Sequence, residues 1–215
     1  MIKKATKKDI EFIRDRFLEN YSDAVTELDY KNDYELLIAI ILSAQCTDKR
    51  VNIITPALFE KYPSSKELSN AQLDEVKELL KSCSFFNNKA KNIIAMATSV
   101  EELHKGEIPH DTKQLMALAG VGNKTANVFM IEADGANLMA VDTHVFRVSH
   151  RLGLSDGKTV EQTEAQLVKK LKDDLHIFHQ AMVLFGRYIC KAVKPDCDKC
   201  FLTDVCKTKE TFRVG

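Results

Sequence analysis

Three observations predict an all-α fold. Apolar residues recur at helical spacing along the whole chain, strand-like alternation is nearly absent, and only four prolines and eight glycines interrupt 215 residues. A hydrophobic content of 45% is enough for one large domain or two small ones. Lysine plus arginine balance aspartate plus glutamate at 31 each, so a basic surface, if present, must be local. The amino terminus, MIKKATKKDIEFIRDRF, is charged throughout and lacks a signal-peptide core, and the longest apolar run, residues 36–42, is too short to span a bilayer. A soluble, non-secreted, cytoplasmic protein without membrane contact is expected.

Ile10, Ile13 and Phe17 form the apolar stripe of a first helix. Asn32 with Glu35 has the form of a capping box and opens YELLIAIILSA, apolar on nearly all sides and so a central buried helix. The polar corner SAQCTDKRVN leads into a helix ending near Tyr62-Pro63. Ser69 with Gln72 is expected to cap a helix bearing Leu73, Val76 and Leu80, after which KSCSFFNNKAKN breaks the periodicity. A longer helix then carries Ile93, Ile94, Ala97, Val100 and Leu103, closed by Gly106 and Pro109. Asp111 with Gln114 caps a short helix through Leu115 and Leu118; THVFRVSHRL forms another that stops at Gly153. Thr159 with Gln162 starts a helix with Val160, Leu167 and Leu171, and a last one ends at Cys190.

Residues 115–147 concentrate the chemistry. Gly120-Val121-Gly122 joins two helices; both glycines are expected to permit positive φ and to let a phosphate approach the backbone, with Thr125 in the helical turn that follows. An ordinary glycine-rich helix connection is the plainer reading of the same residues. Lys124 falls in the first helical turn, where the positive end of the dipole and partial burial favour a neutral, nucleophilic amine; a surface lysine holding phosphate is the alternative. Asp142, in Val-Asp-Thr-His, has the form of a helix N-cap, a role compatible with catalysis because a capped carboxylate is fixed in direction.

Of six cysteines, Cys190, Cys197, Cys200 and Cys206 crowd the last part of the chain, a spacing that suits a metal centre rather than a disulfide framework. Four thiolates in one compact loop suit an iron–sulfur cubane, with a single zinc ion as the alternative. Arg187, Lys191, Lys194 and Lys199 make this loop locally basic, against Asp196 and Asp198. Cys46 and Cys83 are expected to be unligated thiols. His176 and His179 are spaced like ligands but lack further partners, and His144, which follows Asp142, is expected to support the site by hydrogen bonding.

Taken together, LLIAIILSAQCTD, LMALAGVGNKTANV, AVDTHVFRV and the four-cysteine spacing resemble the endonuclease III family of the helix–hairpin–helix DNA glycosylases over about residues 26–206. The resemblance implies a six-helix barrel at 26–136 containing the helix–hairpin–helix, and a second helical domain of 1–25 and 137–215 with a [4Fe–4S] loop on Cys190, Cys197, Cys200 and Cys206. Double-stranded DNA containing damaged bases or abasic sites would lie in the cleft between them. It further implies base excision repair by a bifunctional DNA glycosylase and abasic-site lyase acting on oxidised pyrimidines of the thymine glycol type. Lys124 would attack C1′, Asp142 would assist, and β-elimination would cut the strand 3′ to the lesion.

By the same resemblance, Gln45 fills the gap left by the flipped nucleotide, Phe85 occupies the wedge position, Gly120, Val121 and Gly122 grip phosphate, and Lys191 and Lys194 lie along the backbone. A monomer is expected, nucleoid-associated if bacterial. Two departures from the family pattern stand out: Ala119 replaces a common proline, and Phe85-Phe86 replaces a Leu-Tyr-like pair, leaving open whether either ring belongs to the core. Two other functions use the same residues: a monofunctional mismatch glycosylase acting through Asp142 and water, and a non-catalytic DNA-binding module. Elemental analysis of the purified protein should find about four irons per chain and broad brown absorbance; stoichiometric zinc in a colourless protein would select the alternative metal.

Overall fold

The computed structural model describes residues 3–208. Eleven α-helices and one short 3₁₀ turn, Cys197–Lys199, make up the regular structure, and no strand occurs among the described residues. The chain divides into two compact units, a continuous one of Glu27–Asp134 and a discontinuous one formed by the described parts of 1–26 and 135–215.

The continuous unit is built around α2 (Asp33–Ser43), in which every residue from Tyr34 to Leu42 is buried. Such a helix needs neighbours on all sides. It has α3 (Asp48–Lys61), α6 (Phe86–His104) and α8 (Asn123–Asp134). Asn32 caps α2 by accepting from the Glu35 N–H at 2.9 Å, but the Glu35 carboxylate takes the Lys31 N–H instead of the cap's own. The expected capping box is thus displaced by one residue. Two short helices, α4 (Ser65–Ser69) and α5 (Leu73–Leu80), pack on α6. Helix α4 corrects the sequence reading: Ser69 ends it rather than capping α5, whose N-cap Gln72 makes no side-chain cap bond. Helix α6 starts at Phe86, inside the stretch expected to interrupt periodicity, and Leu103 lies 70% exposed off its apolar face. Helix α7 (Thr112–Ala117), capped by Asp111 as expected, packs on α8.

The discontinuous unit joins α1 (Lys7–Tyr21) to α9 (Thr143–Arg151), α10 (Val160–Leu171) and α11 (Leu175–Tyr188). Phe17 on α1 meets Phe178, Phe185 and Phe201 edge-on, with ring centroids 6.4, 5.4 and 5.9 Å away. Edge-to-face geometry suits the aromatic quadrupole, and full burial of one such ring contributes about 2–3 kcal/mol. Ile13 and Leu202 complete the same core, so the first helix and the last loop share one apolar cluster. Val160 is largely exposed and acts only as the first residue of α10. No helix among the described residues is long and apolar enough to cross a membrane.

One ion pair also links the two ends of this unit. Asp9 completes a capping box with Thr6 and accepts from Lys207 Nζ at 2.7 Å. The Lys207 contact, then the Thr6 N–H, hold the Asp9 carboxyl at about 2 instead of 3.8. A depressed carboxylate stabilises the fold above its unfolded value and loses that contribution as pH falls, here between about 4 and 2. Asp9→Asn should therefore lower stability by about 2 kcal/mol at neutral pH and abolish this group's share of the acid-side slope, both measurable by urea unfolding at a series of pH values.

Candidate functional site

In the continuous unit, the turn between α7 and α8 is built by residues with different tasks. Gly120 has φ +82°, and a Cβ there would sit 3.0 Å from the Asn92 Cβ, so both backbone and space demand glycine. Gly122 does not share the positive φ expected of it; it is exposed, and a Cβ on it would meet nothing within 4 Å. Nothing in the chain itself requires glycine at 122. Val121 is buried and its N–H donates to the Leu118 carbonyl at 3.2 Å, so it anchors the turn from inside. The Gly122 carbonyl accepts the Ala126 N–H, starting α8 without a side chain to cap its first N–H groups. Lys124 is exposed on that first turn and Thr125 is half-buried; the partial burial expected of Lys124 is not built by the chain alone.

Gln45 and Phe85 lie on two other loops of this unit. Both are exposed, Phe85 by 62%, and both hold left-handed backbone, with φ 54° and 58°. Non-glycine residues adopt this conformation rarely and at some cost. Phe85 is therefore not a core ring, while Phe86 is half-buried. The two loops are joined by a residue the sequence did not single out. Lys89, only 6% exposed, sends its Nζ to the carbonyls of Leu42 at 2.8 Å and Ala44 at 2.6 Å and to Cys83 Sγ at 3.3 Å. Within NNKAKN nothing distinguishes this lysine from its solvated neighbours, because its two carbonyl acceptors are supplied by chain more than forty residues earlier.

In the discontinuous unit, Asp142 is the N-cap of α9, its Oδ1 accepting from the Val145 N–H at 2.7 Å. Two arginines one turn apart on α9 then reach the loop after α11. Arg147 donates to the carbonyls of Gly186 (2.7 Å) and Cys190 (3.0 Å) and contacts His144 Nδ1 at 3.1 Å, so His144 engages the arginine. Burial weakens this guanidinium's hold on its proton, and the Cys190 thiol and Asp142 counteract it. Arg151 donates to the Lys191 carbonyl (2.7 Å), to the Ala192 carbonyl (3.2 Å) and to Cys190 Sγ (3.3 Å). Their i, i+4 spacing after the cap was the available sequence signal for this role. His179 is committed to the Ala140 carbonyl at 2.8 Å and, like His176, joins no metal-binding group among the described residues.

Cys190, Cys197, Cys200 and Cys206 line one cavity of about 30 Å³, together with Arg151, Leu152 and Phe185. Burial pushes the Cys197 and Cys200 thiols up, and the other cysteines add to it. The Leu202 N–H points at Cys200 Sγ at 3.4 Å, and with Arg151 on Cys190 it supplies donors suited to anionic sulfur. Among the described residues, no three His, Cys, Asp or Glu side chains converge closely enough to hold a single metal ion. Four cysteines around one cavity, with N–H donors on two of the sulfurs, are a donor set that fits a thiolate-ligated group. Nearby, Lys194 is exposed with φ 50°, whereas Lys191 is paired with Asp196 at 2.9 Å.

The sequence profile of the HhH-GPD superfamily of base excision DNA repair proteins matches residues 38–173. Endonuclease III of Rickettsia felis is 45% identical over 192 residues, covering 89% of this chain and 90% of the relative. Endonuclease III of Bacillus subtilis is 42% identical over 202 residues, covering 93% and 92%. The solved structure of a trapped endonuclease III–DNA covalent intermediate is similar at a TM-score of 0.91 and 41% identity, over 96% of this chain and 98% of its own.

The two glycines of the turn should respond unequally to a methyl group. Gly120→Ala is expected to cost about 1–3 kcal/mol in urea unfolding, and Gly122→Ala less than about 0.5 kcal/mol.

Proposed function

The chain belongs to the endonuclease III family of the HhH-GPD superfamily and is a DNA glycosylase and abasic-site lyase of base excision repair, in which we propose that Lys124 is the nucleophile, Asp142 its assisting carboxylate and oxidised pyrimidines the target. The observation that carries the residue assignment is the turn before α8: an exposed lysine two residues beyond a glycine whose missing side chain leaves open space on the outside of the protein. A phosphate approaching Gly122 would meet backbone N–H groups at the positive end of α8 and hold the sugar near Lys124. Bound DNA would also supply the desolvation of Lys124 that the chain does not.

In the reaction, the neutral Lys124 amine bonds to C1′ as the glycosidic bond breaks, and the base leaves with that electron pair and takes a proton from solvent. Asp142 stabilises the positive charge developing on the sugar and takes a proton from the lysine nitrogen. It returns that proton to the ring oxygen O4′ as the ring opens to a protonated Schiff base, which acidifies C2′. Loss of a C2′ proton expels the 3′ phosphate, cutting the strand, and water releases the lysine. The Asp142 N-cap bond aims its carboxylate and leaves its second oxygen outside that bond.

Gln45 and Phe85, both exposed on left-handed backbone, are proposed to enter the duplex, Gln45 in the vacated space and Phe85 as the wedge. Gly120 shapes the phosphate grip and Val121 seats it, with Thr125 on the following turn; Lys194, and Lys191 where it exchanges Asp196 for phosphate, extend the contact. We propose that Cys190, Cys197, Cys200 and Cys206 hold one [4Fe–4S] cluster; all four thiols line one cavity, and Arg151 and the Leu202 N–H supply donors to the sulfurs. When bound, the cluster supplies structural closure of the loop. The enzyme is further proposed to act as a cytoplasmic monomer on double-stranded DNA.

Borohydride trapping on duplex carrying thymine glycol tests this assignment. Wild type should give a covalent adduct and a nick; Lys124→Ala should lose the adduct. Asp142→Asn preserves a cap acceptor, so it should fold normally while base release falls at least about a hundredfold. Base release by wild type without an adduct would make the protein a monofunctional glycosylase, and neither release nor nicking would leave a DNA-gripping module.

A further inference from the structure

Lys89 is a buried lysine that neither the sugar chemistry nor the phosphate grip employs. It stands in the first turn of α6, and its bonds lead to both of the loops that carry Gln45 and Phe85. Its backbone N–H donates to the Phe85 carbonyl at 3.1 Å, beside the N–H of Asn88. Its Nζ donates to the Leu42 carbonyl at 2.8 Å, the Ala44 carbonyl at 2.6 Å and Cys83 Sγ at 3.3 Å. An ammonium has three N–H bonds, and here each has an acceptor. The Cys83 thiol in turn reaches the same Leu42 carbonyl at 3.5 Å. The Ala44 carbonyl belongs to the peptide group that ends in the Gln45 nitrogen, and the Phe85 carbonyl begins the one that leads to Phe86. One residue thus holds a peptide plane beside each left-handed position, Gln45 at φ 54° and Phe85 at φ 58°. All of these groups lie in the continuous unit.

We propose that Lys89 is a positioning residue for nucleotide extrusion, holding Gln45 and Phe85 ready for insertion before DNA arrives. This role rests on the reading of those two residues as the groups that enter the duplex. Burying a long, flexible, charged side chain costs entropy and hydration, which only its completed hydrogen bonds offset. The acceptors are the carbonyls at the negative end of α2, where a cation is favoured. Left-handed backbone is disfavoured for glutamine and phenylalanine, so a segment released from these bonds relaxes toward ordinary φ and its side chain turns elsewhere.

Extrusion costs pairing and stacking energy, and inserted side chains offset it best when they need no ordering of their own. Without the Lys89 bonds, that ordering falls on the extrusion step. A lesion that is already unpaired has less extrusion to support, so it depends less on Lys89. A residue that served stability alone would make no such distinction between substrates.

The experiment measures single-turnover release of thymine glycol by the iron-loaded protein from a fully paired duplex and from the same strand with the lesion in a small unpaired loop. The readout is the ratio of the paired to the looped rate, which does not depend on the fraction of active protein. Lys89→Met keeps the aliphatic stem and removes the donors; Lys89→Gln, which keeps one shorter donor, serves if the first variant does not fold. Relative to wild type, Lys89→Met should lower the ratio at least about tenfold, as should Gln45→Ala or Phe85→Ala. Added to a chain already carrying both of those alanines, Lys89→Met should lower it by less than about threefold, since little is left to position. Paired and looped rates that fall together in the Lys89 variant, leaving the ratio at the wild-type value, would overturn the proposal, as would an undiminished effect in the double-alanine chain. If Gln45→Ala and Phe85→Ala both keep the wild-type ratio, they are not the inserted residues and the role of Lys89 falls with them. If those variants lower the ratio and Lys89→Met does not, the role of Lys89 alone is wrong.

Discussion

Two guanidinium groups on α9 hold the last loop of the chain. Arg147 and Arg151 face the carbonyls of Gly186, Cys190, Lys191 and Ala192, acceptors left over where α11 ends and regular structure stops. A loop outside regular helix is thereby tied to a rigid one. The first residue before that helix is Asp142. The direction of the carboxylate and the position of the cysteines are therefore set by one element, and movement of the loop would be felt at the cap.

The continuous unit solves a different problem. Its central helix is buried along its whole length, so its C-terminal carbonyls need donors from elsewhere. Lys89 supplies them from inside α6, with a charged amine enclosed among neutral acceptors. A buried ammonium is costly unless its hydrogen bonds are made. Here they are made to the two backbone carbonyls that precede Gln45, so the exposed, left-handed segment begins from a pinned point. The segment thus combines a pinned base with strained backbone above it.

Much of this was legible in the sequence because it is local. Asn32, Asp111, Asp142 and Thr159 each declare a helix start by a side chain bonded within three residues, and all four caps are present. The buried character of α2 is written in consecutive apolar residues. What escaped was non-local or too short. A five-residue α4 contains barely one turn of periodicity, and Ser69 resembles the start of the next helix as well as the end of this one. The backbone of Gln45 and Phe85 is left-handed because of surrounding packing, without a glycine to announce it. Likewise, the difference between Gly120 and Gly122 exists only in three dimensions: one is hemmed by Asn92 and the other faces open space. The sequence GVG is symmetrical; its physical demands are not.

The discontinuity of one unit has a consequence for synthesis. Residues 27–134 form a contiguous stretch and have all their packing partners once that stretch has left the ribosome, as units that fold during translation require. Helix α1, although made first, must wait for Phe178, Phe185 and Phe201, which are among the last residues added. The turn of Gly120 and Gly122 is thus complete on the growing chain before the residues that seat Asp142 exist. A nascent chain would therefore hold one finished unit while the first helix still waits for its aromatic partners.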